Sequence, residues 1–415
     1  MNLQADFDQP KTGFLLSRLF RYNFPFFLYW VSWTLSFVGD QFYFVALPWL
    51  VLQHTGSAIA VGTVLMTAAV PRGALMLFGG VFTDRLSPRR IMISTTSARA
   101  FFVALIAILL LLRQFRIWQL YVVSFGFGVA DAFGFPAGQK YIPSLIDPED
   151  LTASNALFSG SARTVQILGP ALAGILIAKL GMTTAFAIDA SSFLLLIVAL
   201  WRLPEMNQQP ESCAPAGTSL LREMFQGLGY AYCDTKLRSC LLLIVVVTLC
   251  TSGPVEIGLA YLAKKSFGSA TAYALMISSA ALGGLLGSAL VGLWRTIDRG
   301  FTIIFGSIAC SIAVGILGTM KDLAIIVVLL FVFGCARAVI DIHTLSWVQG
   351  RVKPELRGRV MSAVVLAWVG VAPISLLLAG LLITWNLRWM FMSAAGILLM
   401  TASYLGFSGK LRSLD

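Results

Sequence analysis

The chain has 415 residues, of which 58% are hydrophobic and only 12% are charged, and its mean hydropathy is +0.84. Soluble globular proteins carry about 25% charged residues, so this composition excludes a soluble globular fold. The net charge of +11 would suggest nucleic-acid binding in a soluble protein, but the basic residues here lie between long apolar segments and indicate membrane topology. No nucleic-acid partner is therefore expected.

The apolar segments run for about 20 residues or more without alternation, which favours transmembrane helices over barrel strands. In chain order, the predicted spans are 24–53, 57–82, 90–112, 117–138, 153–179, 182–203, 238–264, 269–294, 301–320, 323–348, 357–384 and 387–407. The predicted fold class is an all-α polytopic membrane protein with twelve transmembrane helices.

A polar, proline-containing segment separates the sixth span from the seventh. It predicts an N-terminal six-helix bundle at 1–203, a cytoplasmic linker at 204–236 and a C-terminal six-helix bundle at 237–415. Within the linker, Ser219–Cys233 has the pattern of an amphipathic helix that lies along the membrane.

Lysine and arginine concentrate in alternate loops, most clearly at 85–90 and 351–359. Because basic loops stay on the cytoplasmic side, both ends of the chain are predicted to be cytoplasmic. Residues 1–22 are polar and precede the first span without a cleavage pattern, so that span is expected to be an uncleaved signal anchor.

The two halves of the sequence match each other in order. Gly128 matches Gly334 and Gly174 matches Gly380 at an offset of 206 residues, and the motif Gly-Ser-Ala at 56–58 recurs at 268–270. Since each half has an even number of spans, the halves are predicted to be parallel repeats related by an axis along the membrane normal.

No cofactor or metal is expected. The six cysteines form no CxxC pair, and His54 and His343 lie far apart. The sequence also lacks a P-loop, so an ATP-driven enzyme is not predicted.

Segment 79–90, GGVFTDRLSPRR, resembles the G-x-x-x-D-R-x-x-R-R loop of the major facilitator superfamily. Four further segments resemble the drug:proton antiporter branch of this superfamily, which includes macrolide-efflux and enterobactin-exporter proteins. They are GD at 39–40, FPA at 135–137, GPALAG at 169–174 and IDASSF at 188–193. Two features depart from the pattern. The second-half copy of the loop motif is eroded, and the fourth span lacks the arginine that many drug antiporters have near its start.

The resemblance implies a monomeric transporter of the bacterial inner membrane whose helices 1, 4, 7 and 10 line a central cavity. It also implies that the loop motif forms a conformational latch, which involves Gly80, Asp84, Arg85, Arg89 and Arg90. The alternative is a solvated cluster that only sets topology.

A second motif, in the fifth span, consists of Gly169, Pro170 and Gly174 and resembles the fifth-helix motif of exporters. Small residues there allow close helix packing, and the resemblance implies a bend that seals one face of the membrane. Ordinary helix packing is the alternative.

Ionisable residues within membrane spans are costly, which makes them functional candidates. Asp40, Asp131 and Glu256 lie in spans 1, 4 and 7, and they are the predicted proton-coupling residues in that order of preference. Burial favours the protonated form of a carboxyl group and a nearby arginine favours the ionised form, so movement between such environments can load and release a proton. Permanent ion pairing is the alternative. Asp189 is set aside because it lies near a predicted outer end.

Further charges are predicted to face the cavity, namely Arg72, Arg337 and Asp341. Arg337 and Asp341 are four residues apart, which predicts an intrahelical ion pair. Asp131 and Arg337 occupy equivalent repeat positions, and the hypothesis is that they face each other across the cavity. Arg99 and Arg163 are predicted to hold helix ends, and the alternative is that they steer an anionic group.

The predicted function is proton-coupled export of an amphipathic small molecule by alternating access, with the small molecule, protons and the lipid bilayer as partners. Two alternatives remain. One is transport of another cargo, such as a siderophore, a lysophospholipid or a nutrient taken up by the cell. The other is a membrane sensor without transport activity.

Overall fold

The protein is described from a computed structural model that covers residues 24–205, 229, 232, 234–293, 298–352 and 354–407. For 77–85, 354, 355, 357–359 and 362 the description is limited to the backbone. Most of the linker, including the predicted amphipathic helix Ser219–Cys233, lies outside the described residues.

The described residues form membrane-length helices and no strand. We number them α1 (Phe24–Thr55), α2 (Ala58–Arg85), α3 (Pro88–Leu111), α4 (Ile117–Tyr141), α5 (Leu151–Leu180), α6 (Met182–Arg202), α7 (Thr235–Gly253, a π-helical turn Pro254–Gly258, and Leu259–Phe267), α8 (Ala270–Leu293), α9 (Arg299–Leu317), α10 (Leu323–Arg351), α11 (Pro354–Trp385) and α12 (Leu387–Phe407). Two short 3₁₀ helices, Ile142–Leu145 and Pro148–Asp150, connect α4 to α5.

All twelve are long and apolar enough to cross a membrane, so the predicted fold class is confirmed. Their ends lie within a few residues of the predicted spans. The boundaries follow local chemistry: α3 begins at Pro88, whose missing N–H is not needed in a first turn, and α7 ends at Gly268, whose φ of +61° is left-handed.

Aspartates cap three helices on their N-terminal sides. Asp298 accepts hydrogen bonds from the backbone N–H groups of Gly300 and Phe301, and Asp322 caps α10 in a similar way. Asp234 caps α7 and also forms an ion pair with Arg351, at 3.2 Å, which ties the start of α7 to the end of α10. Burial raises the pKa of the Asp234 carboxyl group, but hydrogen bonds from two backbone N–H groups and the pair with Arg351 outweigh it, so this pKa lies below its usual 3.8.

The Asp234 cap predicts a measurable effect on stability. Replacing Asp234 by alanine is expected to lower the free energy of unfolding by about 1 kcal/mol, whereas asparagine, which caps equally well, should cost less. Because the folded pKa is lowered, the contribution of Asp234 is complete above 3.8 and is lost as the pH falls below that value. Thermal unfolding in detergent should therefore give the same difference at pH 8 and pH 5. Equal losses for alanine and asparagine would show that the ion pair, not the cap, dominates.

Glycine contacts show the internal repeat directly. A Cβ atom on Gly128 of α4 would overlap the carbonyl group of Ala68 on α2, and one on Gly334 of α10 would overlap that of Ala280 on α8. Gly128 and Gly334 are the pair matched in sequence, and Ala68 and Ala280 are related by the offset of the 56–58 repeat. Equivalent helices therefore pack through equivalent residues in the two halves.

The same symmetry relates the contacts between the halves. A Cβ atom on Gly174 of α5 would lie 3.1 Å from the carbonyl oxygen of Ala270 on α8, and one on Gly380 of α11 would lie 3.1 Å from that of Ala58 on α2. Each half thus packs one glycine-bearing helix, α5 or α11, against a helix of the other half. Phe24 begins α1 at the predicted cytoplasmic face. These contacts hold the halves together at the opposite face, which is the predicted outer face.

Two hydrogen bonds also join the halves at this outer face. The Thr271 hydroxyl group donates to the carbonyl oxygen of Gly174 at 3.2 Å, and the Lys264 ammonium group donates to the carbonyl oxygen of Leu52. The backbones of α2 and α11 also approach closely here, since a Cβ atom on Gly62 would lie 2.8 Å from the carbonyl oxygen of Leu376. The structure is therefore closed at the predicted outer face.

Candidate functional site

The candidate site lies among four helices of the N-terminal half. Asp40 of α1 is buried, and its carboxylate accepts a hydrogen bond from the guanidinium group of Arg99 on α3. Arg99 also lies 3.8 Å from the carboxylate of Asp131 on α4. One arginine thus bridges two of the three predicted proton-coupling residues.

Aromatic rings hold Arg99 in place. The centre of its guanidinium group lies 4.5 Å from the ring centroid of Phe127 on α4 and 4.5 Å from that of Phe193 on α6. Such cation–π contacts stabilise a desolvated guanidinium group. The expectation that Arg99 holds a helix end is wrong, because this residue lies near the middle of α3 and forms the centre of a buried cluster. Arg163 is exposed on α5.

Asp189 of α6 is a site residue that the sequence interpretation missed. It is fully buried, and neither carboxylate oxygen accepts a hydrogen bond from a residue that the structure describes. The charged side chains that act on its carboxyl group are Asp40 and Arg99. The backbone of Gly39 packs directly on it, since a Cβ atom there would lie 2.8 Å from a carboxylate oxygen of Asp189. We call Arg99, Asp40, Asp131 and Asp189 the Arg99 cluster.

A sequence signal for Asp189 does exist. Asp189, Ser192 and Phe193 have the i, i+3, i+4 spacing that places side chains on one helix face, and all three are buried. Depth along the span was the misleading criterion, because a residue near a helix end is still buried when neighbouring helices cover it.

Asp131 and Arg72 connect the cluster to a more open region. Their side chains lie 3.6 Å apart, and Arg72 on α2 is the more exposed of the two. Charged groups exposed at membrane depth face water rather than lipid. That Arg72 faces a water-accessible cavity stays a prediction.

Glu256 approaches the same region from the C-terminal half. Its side chain is exposed, and Arg72 of α2 is the charged group that acts on it. It belongs to the π-helical turn Pro254–Gly258, where the carbonyl oxygen of Glu256 accepts a hydrogen bond from the Tyr273 hydroxyl group at 3.3 Å. Such turns recur at functional sites. The helix type of α7 thus changes just after Gly253.

Arg337 and Asp341 form the predicted intrahelical pair, with 2.8 Å between the Arg337 Nε and a carboxylate oxygen. Arg337 also donates to the Thr251 hydroxyl group of α7 at 2.6 Å. Asp131 and Arg337 thus each have partners within their own half. The hypothesis that they face each other stays a prediction.

The latch residues divide into two groups. Gly80, Asp84 and Arg85 lie in the part of α2 for which only the backbone is described. Arg89 donates to the carbonyl oxygens of Leu200 and Trp201 at 2.6 and 2.7 Å, and Arg90 pairs with Glu205 at 2.8 Å. In this conformation both arginines brace the C-terminal end of α6, where cations also complement the helix dipole. A latch role for the motif remains a proposal.

The fifth-helix motif makes two different contacts. A Cβ atom on Gly169 would lie 2.8 Å from the Cβ of Gln41 on α1, whereas Gly174 faces α8 of the other half. Pro170, between them, is buried. The motif therefore allows close packing within the N-terminal half and across the outer interface.

Aromatic side chains of α1 extend beside the cluster. Trp33 stacks on Phe37 at 5.3 Å between ring centroids, and Phe44 is exposed although most of α1 is enclosed by other helices. Phe44 is thus an exposed aromatic ring on a helix that is otherwise mostly buried.

A family model described as "Major Facilitator Superfamily" matches residues 29–368. The chain belongs to the major facilitator superfamily. It is similar to the multidrug efflux pump Tap of Mycolicibacterium fortuitum, with 26% identity covering 91% of this chain and 94% of the relative. It is also similar to macrolide efflux protein A of Streptococcus pyogenes, with 25% identity covering 87% and 89% of the two chains. The predicted resemblance is thereby confirmed.

Solved structures support the fold. The nucleoside transporter NupG has a TM-score of 0.74 at 11% identity, covering 92% of this chain and 98% of its own. A bacterial homologue of the iron transporter ferroportin, in an inward-facing state, has a TM-score of 0.72 at 16% identity, covering 94% and 98%. At these identities the likeness concerns the fold alone. This chain is thus a multi-pass membrane protein with the major facilitator fold.

Proposed function

We propose that this protein is a secondary active transporter that couples inward proton movement to the export of an amphipathic small molecule by alternating access. The observation that carries the proposal is the Arg99 cluster, a set of buried charges at membrane depth beside a water-accessible cavity. Buried ionisable groups within a membrane are retained mainly where transport or proton movement requires them.

The charge balance of the cluster suits proton binding. Asp40, Asp131 and Asp189 supply three carboxyl groups, while Arg99 and Arg72 supply two guanidinium groups. If every group were ionised, one negative charge would remain uncompensated in a region of low dielectric. One added proton makes the set of the Arg99 cluster and Arg72 neutral, and its loss creates a charge that favours a different arrangement.

The contacts between the halves support alternating access. The halves pack at the predicted outer face through glycine and alanine, so their separation requires few side-chain contacts to break besides the hydrogen bonds of Thr271 and Lys264. The symmetric pairs α5–α8 and α2–α11 provide the surfaces along which two rigid bundles would rock. Residues of the cavity wall would then be exposed to each side in turn.

Chemistry of the cavity wall favours an amphipathic cargo. Phe44 offers an apolar surface, while Glu256, Asp131 and Arg72 offer charged groups. The names of the relatives, a multidrug efflux pump and a macrolide efflux protein, support export as the direction. We also propose a bacterial inner-membrane location with both ends of the chain in the cytoplasm, on the basis of the basic loops and these bacterial relatives.

Transport in proteoliposomes tests this proposal. With a fluorescent amphipathic cation such as ethidium as the probe, a pH gradient should drive accumulation by the wild type, and Asp40→Asn and Asp131→Asn should lose gradient-driven accumulation. The physical reason is that each substitution removes a carboxyl group next to Arg99. Asp322→Asn is the matched control, because asparagine preserves that helix cap. Gradient-driven accumulation at the wild-type level by both cluster variants would overturn the coupling mechanism.

A further inference from the structure

We propose that Asp189 is the carboxyl group that binds the coupling proton while the outer face is closed, and that Asp40 serves as the counter-ion of Arg99 in that conformation. The inference rests on the proposed proton-coupled function and assigns a specific role within it. It places Asp189, which the sequence interpretation set aside, ahead of Asp40, the first choice from sequence.

The three acids differ in their partners. Asp40 accepts a hydrogen bond from Arg99, and Asp131 lies within 3.8 Å of both Arg99 and Arg72. Asp189 is fully buried, and within the described part of the chain neither of its oxygens has a hydrogen-bond partner. An ionised carboxylate in that position would be strongly unfavourable, and a bound proton removes the charge.

Polar and charged groups from α1, α3 and α4 lie around Asp189. Asp40 and Tyr43 approach from α1 and Arg99 from α3, with Asp131 of α4 on the far side of Arg99. The Ser192 hydroxyl group on α6 donates to the carbonyl oxygen of Asp189 rather than to its carboxyl group. Arg99 is the positively charged group in this set, and it already forms an ion pair with Asp40.

Arg99 is placed to change partners. The rings of Phe127 and Phe193, whose centroids lie 6.5 Å apart, contact the guanidinium group on two adjacent sides without hydrogen bonds, so they do not fix which carboxyl group it pairs with. Its Nε is buried and donates to no described residue. Because Phe193 and Asp189 are on the same helix, a shift of α6 against α1 would carry both towards or away from Arg99. Gly39 permits the close approach of α1 and α6 at this point.

Exposure rises step by step from Asp189 to the cavity. Asp189 is 0% exposed, and the side chains of Asp40, Asp131 and Arg72 are 12%, 26% and 45% exposed. A proton that leaves Asp189 can therefore pass by way of Asp40 and Asp131 to water in the cavity. The carboxylate left behind is then free to pair with Arg99.

The C-terminal half argues against a purely structural role for Asp189. At the repeat offset of 206 residues, the equivalent position is Ala395 on α12, which is also buried. There the Ser311 hydroxyl group of α9 donates to the Ala395 carbonyl oxygen at 2.7 Å. The same position in the fold is thus filled by alanine, so packing alone does not require a carboxyl group.

The test compares Asp189→Asn with wild type and with Asp322→Asn in proteoliposomes, with ethidium as the probe. Exchange of ethidium across the membrane without a gradient should be retained by Asp189→Asn, while accumulation driven by a pH gradient should be lost. Retention of gradient-driven accumulation by Asp189→Asn, alongside a gradient-driven wild type, overturns this inference alone. Absence of gradient-driven accumulation in the wild type would instead refute the proposed function.

A second measurement applies even if Asp189→Asn fails to fold. Infrared difference spectroscopy of the wild type, with and without ethidium, should show loss of a protonated-carboxyl C=O band on ligand binding. At ethidium concentrations that saturate each variant, the same difference band should be seen in Asp131→Asn and Glu256→Gln, because both keep Asp189. Loss of the band in either variant, or its absence from the wild type, would contradict the assignment.

Discussion

Replacing Arg99 by leucine is expected to lower the free energy of unfolding by about 3–5 kcal/mol, which is the usual cost of removing one partner from a buried ion pair. Arg99→Leu would leave Asp40 buried without its hydrogen-bond donor and would leave Asp131 with Arg72 alone. Transport should be lost in the same variant. Arg99→Lys should also be impaired, because an ammonium group lacks the planar fork with which the guanidinium group reaches both Asp40 and Asp131.

Thermal unfolding of purified protein in detergent measures the stability effect of Arg99→Leu. The double variant Arg99→Leu/Asp40→Asn should recover a large part of the loss, because the unpaired carboxylate is then absent. Arg163→Leu is a comparison, since Arg163 is exposed on α5. Equal stability of Arg99→Leu and Arg163→Leu would show that the Arg99 cluster does not hold the N-terminal half together.

Replacing Gly174 by leucine is expected to prevent closure of the outer face and to abolish transport. A Cβ atom at this position already overlaps the Cβ of Ala274 and lies 3.1 Å from the carbonyl oxygen of Ala270. Overpacking of this kind costs about 1–3 kcal/mol, which shifts a two-state equilibrium by about 5- to 150-fold. Gly174→Ala should give a smaller shift in the same direction.

Spin labels at Ser57 and Asn386, in outer loops of the two halves, would report the shift as a longer inter-label distance in Gly174→Leu. Gly160→Ala on the same helix is the control, because a Cβ atom there meets nothing within 4 Å. An unchanged distance distribution in Gly174→Leu would mean that the α5–α8 contact does not set the conformation.

The transmembrane helices could be predicted from sequence because hydrophobic length alone determines where a chain crosses a membrane. The span predicted at 182–203 is Met182–Arg202 in the structure, for example. The repeat could also be predicted, since Gly128 and Gly334 are required by close backbone contacts that recur in both halves. These features depend on local composition or on spacing along the chain.

The partners within the site could not be predicted in the same way. Arg99 meets Asp40 and Asp131 because α3 turns one face towards α1 and α4, and the rotation of a helix about its axis depends on all of its neighbours. Depth along a span gave no information about that rotation. The prediction based on depth therefore placed Arg99 at a helix end and excluded Asp189 from the site, although both belong to the Arg99 cluster.

The Arg89 and Arg90 contacts illustrate a further limit. Sequence resemblance implied a latch between moving parts, whereas both arginines hold the end of α6 within one half in the conformation described. A motif indicates that a segment matters for the family, but which contacts form depends on the conformational state. The outer-closed state shows one set of those contacts.

Simultaneous recording of ethidium movement and internal pH in the same proteoliposomes tests the central claim most directly. For the wild type, we expect proton and ethidium fluxes in opposite directions that start together and stop together when a protonophore removes the gradient. Asp40→Asn should show neither gradient-driven flux, whereas Asp322→Asn should show both. Ethidium accumulation by the wild type without any change in internal pH would contradict the claim that the Arg99 cluster couples proton movement to export.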